Sequence, residues 1–193
     1  MRRAFISVVA ILIPLIIIAA FLYSSQMDEV ESIMSEADYF KEIKKPFVYY
    51  EAYAKKDLIG YCFYTKDVTP EEKGYDGPIE MVVAIDKTCR IKHLKVLKCT
   101  DTIESARAIS GQDFLNQFKA KGPKDGFIVG ADVDGITHAT VSSTAVASTL
   151  KKALTRMEEA VSGKKVETLS PEIQKLENKG LQPKEAKYYK IIE

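Results

Sequence analysis

Apolar residues fall along this chain in several distinct spacings, and each spacing predicts its own element. From Ala4 to Tyr23 they run without a charge. At about 1.5 Å per residue that stretch is long enough to cross a hydrocarbon core, so it predicts a transmembrane helix, with Pro14 tolerated inside it. From Met27 to Lys44 the residues Val30, Ile33, Met34, Ala37, Phe40 and Ile43 recur at three- and four-residue steps, the stripe of a helix that ends before Pro46. Phe47 to Ala54 and Leu58 to Thr65 are rich in Tyr and Phe and flank Lys55-Lys56-Asp57, which predicts a β-hairpin. Val68 to Gly77, with Pro70, Gly74 and Gly77, reads as a loop. A second hairpin follows, Ile79 to Ile85 and Arg90 to Leu97 around a turn at Asp86 to Cys89, although the alternation of its second strand is imperfect. Ser110 reads as the N-cap of a helix through Phe114, Leu115 and Phe118 that stops at Gly122-Pro123. A longer helix is predicted from Ser142 to Val161, with Val146, Leu150, Ala153 and Met157 as its buried face.

Paired strands interleaved with helices predict an α+β fold, an antiparallel sheet of hairpins with packed helices, preceded by one transmembrane helix. The expected organisation is an anchor over 1–23, a connecting helix over 24–45, a domain over 46–163 and a C-terminal extension over 164–193. The extension is rich in Lys and Glu, is punctuated by Pro171 and Pro183, and has a short helix near Pro171 to Asn178.

Charge narrows the function classes. The 28 basic residues against 27 acidic ones leave a formal charge of +1 with no long block of either sign, so there is no footprint for nucleic acid. Arg2 and Arg3 precede the apolar run and Asp28, Glu29 and Glu31 follow it, which places the amino terminus in the cytoplasm and the rest of the chain outside. A cleaved signal peptide is the rival reading; its apolar core is ordinarily about 7–15 residues, and either reading exports the domain.

Cys62, Cys89 and Cys99 are too few and too irregularly spaced for a zinc site or an iron–sulfur cluster. Cys89 and Cys99 lie along one predicted strand, too far apart to bridge, while a bridge from Cys62 to either and no bond at all are both left open. The histidines are His93 and His138 alone, and no nucleophile-and-base pair stands out.

The stretch Asp134-Gly135-Ile136-Thr137-His138-Ala139-Thr140-Val141-Ser142-Ser143 is dense in hydroxyls and leads directly into the long helix. Free amides and the positive dipole end make such a place an anion site, and a phosphate fits it. Capping of the helix by the same hydroxyls is the plainer reading.

Asp-x-x-Thr-x-Ala-Thr resembles the flavinylation motif of the FMN-binding domain family shared by RnfG, NqrC and NosR-like proteins. In that family the final threonine or serine is esterified to the FMN phosphate by an ApbE-type flavin transferase outside the cytoplasm. The resemblance implies covalent FMN on Thr140, with Asp134, Thr137 and Ala139 as the rest of the recognition pattern; Ser142 and Ser143 are further candidate cofactor residues of the same stretch, and His138 reads either as a hydrogen-bond partner of the phosphate or flavin or as a plain surface histidine. His138 stands where the family usually has glycine.

The resemblance covers roughly Phe47 to Val161. Gly74-Tyr75-Asp76-Gly77-Pro78-Ile79 is similar to the family's glycine–tyrosine–x–glycine entry to a strand, which brings in Tyr75 and Gly77. Asp101-Thr102 keep the acid and threonine of a loop that lies against the flavin in the family, while Ile103 to Ala106 lack its proline and glycines. Tyr49, Tyr50, Tyr61 and Tyr64 offer rings for stacking on a flavin, with packing in the sheet as the preferred reading.

What the resemblance implies is an electron-transfer subunit of a membrane redox complex, not a stand-alone enzyme, with the other subunits and the transferase as partners. A NosR-like flavin sensor and a flavin-free structural subunit are the alternatives.

Overall fold

The computed structural model describes residues 27–163. Five strands form one antiparallel sheet in chain order: β1 (Tyr39–Ile43), β2 (Tyr49–Ala54), β3 (Asp57–Tyr64), β4 (Ile79–Asp86) and β5 (Ile91–Cys99). The helices are α1 over 27–33, α2 (Thr65–Val68), α3 (Ile103–Ile109), α4 (Gln112–Asn116) and α5 (Thr140–Ser162). The α+β expectation is met. The apolar run of residues 4–23 and the extension over 164–193 lie outside the described residues, among which no helix is long and apolar enough to cross a membrane.

The sheet is covered on both faces. On one, Tyr49, Tyr61, Phe63, Met81, Val83 and Ile85 meet Val146, Leu150, Ala153, Leu154 and Met157 of α5 and the phenyl rings of Phe114 and Phe118. On the other, Tyr50, Cys62, Tyr64, Val82 and Ala84 meet Val30, Ile33 and Met34. Double coverage is why Tyr61 through Tyr64 are all buried, and why β3 reads as a continuous apolar run. The four tyrosines Tyr49, Tyr50, Tyr61 and Tyr64 are thus packing residues of the sheet.

Both predicted hairpins form. Lys55 turns the first at a φ of 58°. In the second the Asp86 carboxylate accepts hydrogen bonds from the amides of Thr88 (2.7 Å) and Arg90 (3.0 Å), while Cys89 takes a φ of 60°. Register shifts against β4 explain the imperfect alternation of β5: Ile85 pairs with Ile91 and Ala84 with His93, so Lys92 is an extra residue. After that bulge Leu94 and Val96 return to the α5 face, three and five residues from Ile91.

Two expectations are corrected. The helix from Met27 stops at 33, the Ala37 amide closes on the Met34 carbonyl, and Tyr39–Ile43 is a strand paired with β2. Steps of three and four residues suit a helix, but here Phe40 and Ile43 pack on opposite faces of the sheet, and pairing with β2 outweighs the local pattern. The sheet therefore begins within the stretch expected to be a connecting helix.

Ser110 does not start a helix; its hydroxyl donates to the Ala106 carbonyl (2.7 Å) and closes α3, a helix that the sequence pattern does not predict, while Gly111 is the N-cap of α4. The long helix runs from Thr140 to Ser162 and ends at Gly163 with a φ of 64°, the left-handed close that glycine permits.

Candidate functional site around the start of α5

The 23-residue helix α5 opens at N-cap Ala139, which offers no side-chain cap, and no acidic residue stands in its first turn. The positive end of the helix is thus left to whatever approaches it.

The hydroxyls just inside that end are mostly engaged. Ser143 Oγ donates to the Ala139 carbonyl (2.8 Å) and accepts from the Ile136 amide (3.3 Å). Thr144 Oγ1 donates to the Thr140 carbonyl at 2.8 Å. Ser142 is buried and its hydroxyl donates to the Asp101 carboxylate. Thr140 differs: it is exposed, and among the described residues its hydroxyl makes no hydrogen bond. Capping by hydroxyls, the plainer reading of this stretch, is not met: among the described residues no side chain accepts from an amide of the first turn of α5, and the Ser143 hydroxyl serves Ile136, which precedes the helix.

The approach to the helix is built tightly. His138, exposed, holds a φ of 66° in the left-handed region, a conformation that glycine adopts without cost. Ala139 is buried and Thr137 exposed. Asp134 presents its side chain to solvent while its backbone is clamped by Gln117, which accepts from the Asp134 amide (2.6 Å) and donates to its carbonyl (3.3 Å).

The segment before Asp134 is fastened by cations. Lys151 of α5 donates to the carbonyls of Pro123 (2.6 Å) and Asp125 (2.8 Å), and Arg90 reaches the Ala120 carbonyl (2.7 Å) and the Asp125 carboxylate (2.9 Å). Lys121 pairs with Asp132 at 2.9 Å and sits 5.6 Å from the Phe127 ring. Burial pushes the Lys151 ammonium below its ordinary pKa.

Asp101 gathers the remaining site residues. It follows β5, is 9% exposed, and accepts from the Asp76 amide at 2.9 Å as well as from Ser142. Burial alone would raise its pKa; the amides of Asp76 and Tyr75, the Ser142 hydroxyl and the Cys99 thiol hold it below the usual value instead.

The turn of residues 74–77 wraps onto it. A Cβ on Gly74 would lie 2.9 Å from Asp101 Oδ2, and one on Gly77, whose φ is 153°, would lie 2.5 Å from Thr100 Oγ1. Thr102 is engaged elsewhere, its hydroxyl accepting from the Ser105 amide (3.3 Å) to cap α3. Tyr75, Ile103 and Val141 are 74%, 75% and 56% exposed, and each lies within two residues of Asp101 or of a group bonded to it.

The chain thus joins Asp101, Tyr75, Gly77 and Ser142 into one cluster beside Thr140. Sequence reasoning missed Gln117, Ile103 and Val141. Gln117 acts on a backbone 17 residues away and leaves no local signal. All three cysteines are free thiols, and no group of metal-ligating side chains forms among the described residues.

Residues 74–155 match the sequence profile of the FMN-binding domain family. Over 145 residues the chain is 27% identical to the G component of the proton-translocating ferredoxin:NAD(+) oxidoreductase complex of Clostridium ljungdahlii, an alignment covering 72% of this chain and 75% of that protein. The matched region opens at the Gly74 turn and takes in Asp101 and Thr140, so the part of the chain that builds this site is the part similar to the FMN-binding domain family.

Proposed function

We propose that this chain is an electron-transfer subunit of a membrane-bound redox complex and carries FMN through a phosphoester to Thr140. The observation that carries the attachment is the contrast among hydroxyls: those of Ser142, Ser143 and Thr144 are committed to protein acceptors, whereas that of Thr140 is exposed and uncommitted at the uncapped end of a long helix.

The surroundings fit the group. The helix end favours a phosphate, and the exposed side chains of Tyr75, Ile103 and Val141 are apolar surface that a planar ring system would cover. Bound FMN would supply one- and two-electron chemistry, with the protein providing attachment, orientation and potential.

Loading is a group transfer without oxidation or reduction. Thr140 Oγ1 bonds to the flavin-side phosphorus of a flavin dinucleotide, the pyrophosphate bond breaks, the nucleoside monophosphate leaves, and the hydroxyl proton passes to a base of an ApbE-type transferase. The family match and the similarity to a component of an oxidoreductase complex support the electron-transfer role. Arg2 and Arg3 ahead of the apolar run support an anchored protein with this domain outside the cytoplasm.

Intact-protein mass and in-gel flavin fluorescence after denaturation, with transferase co-expressed, test the attachment. Wild type and Thr140→Ser should carry the FMN increment and folded Thr140→Ala none, with Thr137→Ala reduced at most in part. An increment persisting in Thr140→Ala places the bond elsewhere; none in wild type makes the chain a flavin-free subunit.

A further inference from the structure

We propose that Asp101 is the positioning residue for Thr140: its carboxylate pins the third residue of α5 to the turn of residues 74–77 and so fixes the helical turn that presents the Thr140 hydroxyl. The proposal rests on the Thr140 reading above and assigns Asp101 a role other than contact with flavin. One carboxylate joins three segments that are distant in sequence: the end of β5, the Gly74 turn through the Asp76 amide, and α5 through Ser142. Those bonds occupy both of its oxygens, and the turn leaves no space for a side chain at Gly74.

Ser142 lies two residues beyond Thr140, so releasing it frees the turn from which Thr140 projects. The carboxylate also supplies the negative charge that the first turn of α5 lacks in its own sequence. A transferase must bring the Thr140 oxygen in line with the pyrophosphate bond, and a nucleophile on a fixed turn reacts faster than one on a frayed end.

The test is the initial rate of FMN incorporation, followed by intact mass with FAD and a purified ApbE-type transferase, on the chain in detergent. Ser142→Ala and Asp101→Asn should each slow incorporation by about tenfold or more, the order expected when a reacting group loses its fixed geometry. The double variant should be no slower than the worse single one, because a shared pin can be removed only once. Ser110→Ala is the control: it removes a comparable helix-end hydroxyl bond from α3 and should load at the wild-type rate. Hydrogen exchange at the amides of residues 143–146, which close the first turns of α5 beginning with the Ser143 amide on the Ala139 carbonyl, should quicken in Ser142→Ala and not in Ser110→Ala. Wild-type loading rates in both pin variants, or equal slowing in Ser110→Ala, overturn the proposal. Absence of loading in wild type fells the Thr140 reading and this one together.

Discussion

At the scale of single residues, the loop ahead of α5 shows what a sequence pattern records and what it hides. His138 is visible in the sequence as a departure from glycine, but the reason glycine suits the place is its φ of 66°. A left-handed residue with a Cβ costs about 1–2 kcal/mol, while glycine loses about 0.5–1 kcal/mol through its freer unfolded chain. His138→Gly should therefore shift unfolding free energy by less than about 1 kcal/mol, whereas β-branched His138→Val should lose more than about 1 kcal/mol, measured by urea titration. Asp101 is legible as an acid in a familiar position, yet its partners, 25 and 41 residues away, are not, since only the fold brings them together.

Its titration has a direction that can be measured. Against its own burial, Asp101 is held below its ordinary value of 3.8 by the hydrogen bonds of Asp76, Ser142 and Tyr75. The unfolded chain then binds more protons than the folded one just below that pH, so the contribution of Asp101 is present above 3.8 and is lost as pH falls through the lower folded value. The stability gap between wild type and Asp101→Asn should accordingly narrow as pH drops below the carboxylate range. A gap that widens there would contradict the assignment.

At the scale of elements, legibility follows the cleanness of the period. The buried face of α5 is readable because Val146, Leu150, Ala153 and Met157 repeat at helical spacing, and all four are fully buried. Leu150→Ala should cost about 2–5 kcal/mol by thermal or urea unfolding, as expected for a leucine lost from a filled core. Stretch 34–43 misleads because its apolar steps suit two geometries, and only the free edge of β2 decides between them. In β5 a single extra residue reverses the inward parity, so no uniform alternation can reveal which face is buried. Helix α3 lacks any apolar stripe, having only Ser105 and Ile109 buried, and hides for that reason.

At the scale of the whole molecule, the consequence of a doubly covered sheet is that α1 and β1 belong to the folded unit and are not a tether. A chain beginning at Met27 should fold, whereas one beginning at Pro46 loses the cover over Tyr50, Cys62, Tyr64, Val82 and Ala84. Cys62 reports the difference directly. It is fully buried and its thiol is pushed up to about 12, chiefly by burial, so a thiol reagent at neutral pH should leave it untouched in the longer chain and label it in the shorter. Equal protection in both would mean that β1 and α1 are dispensable. The placement of the thiols carries further. Cys62 lies under α1 and Cys89 in the core against α5, so the sheet itself stands between them, and Cys99 is tied to Asp101. No disulfide forms among the described residues, so the fold of this domain calls for no thiol oxidation. Dithiothreitol should leave its melting temperature unchanged, and a reducing cytosol should yield the same folded domain as an oxidising exterior.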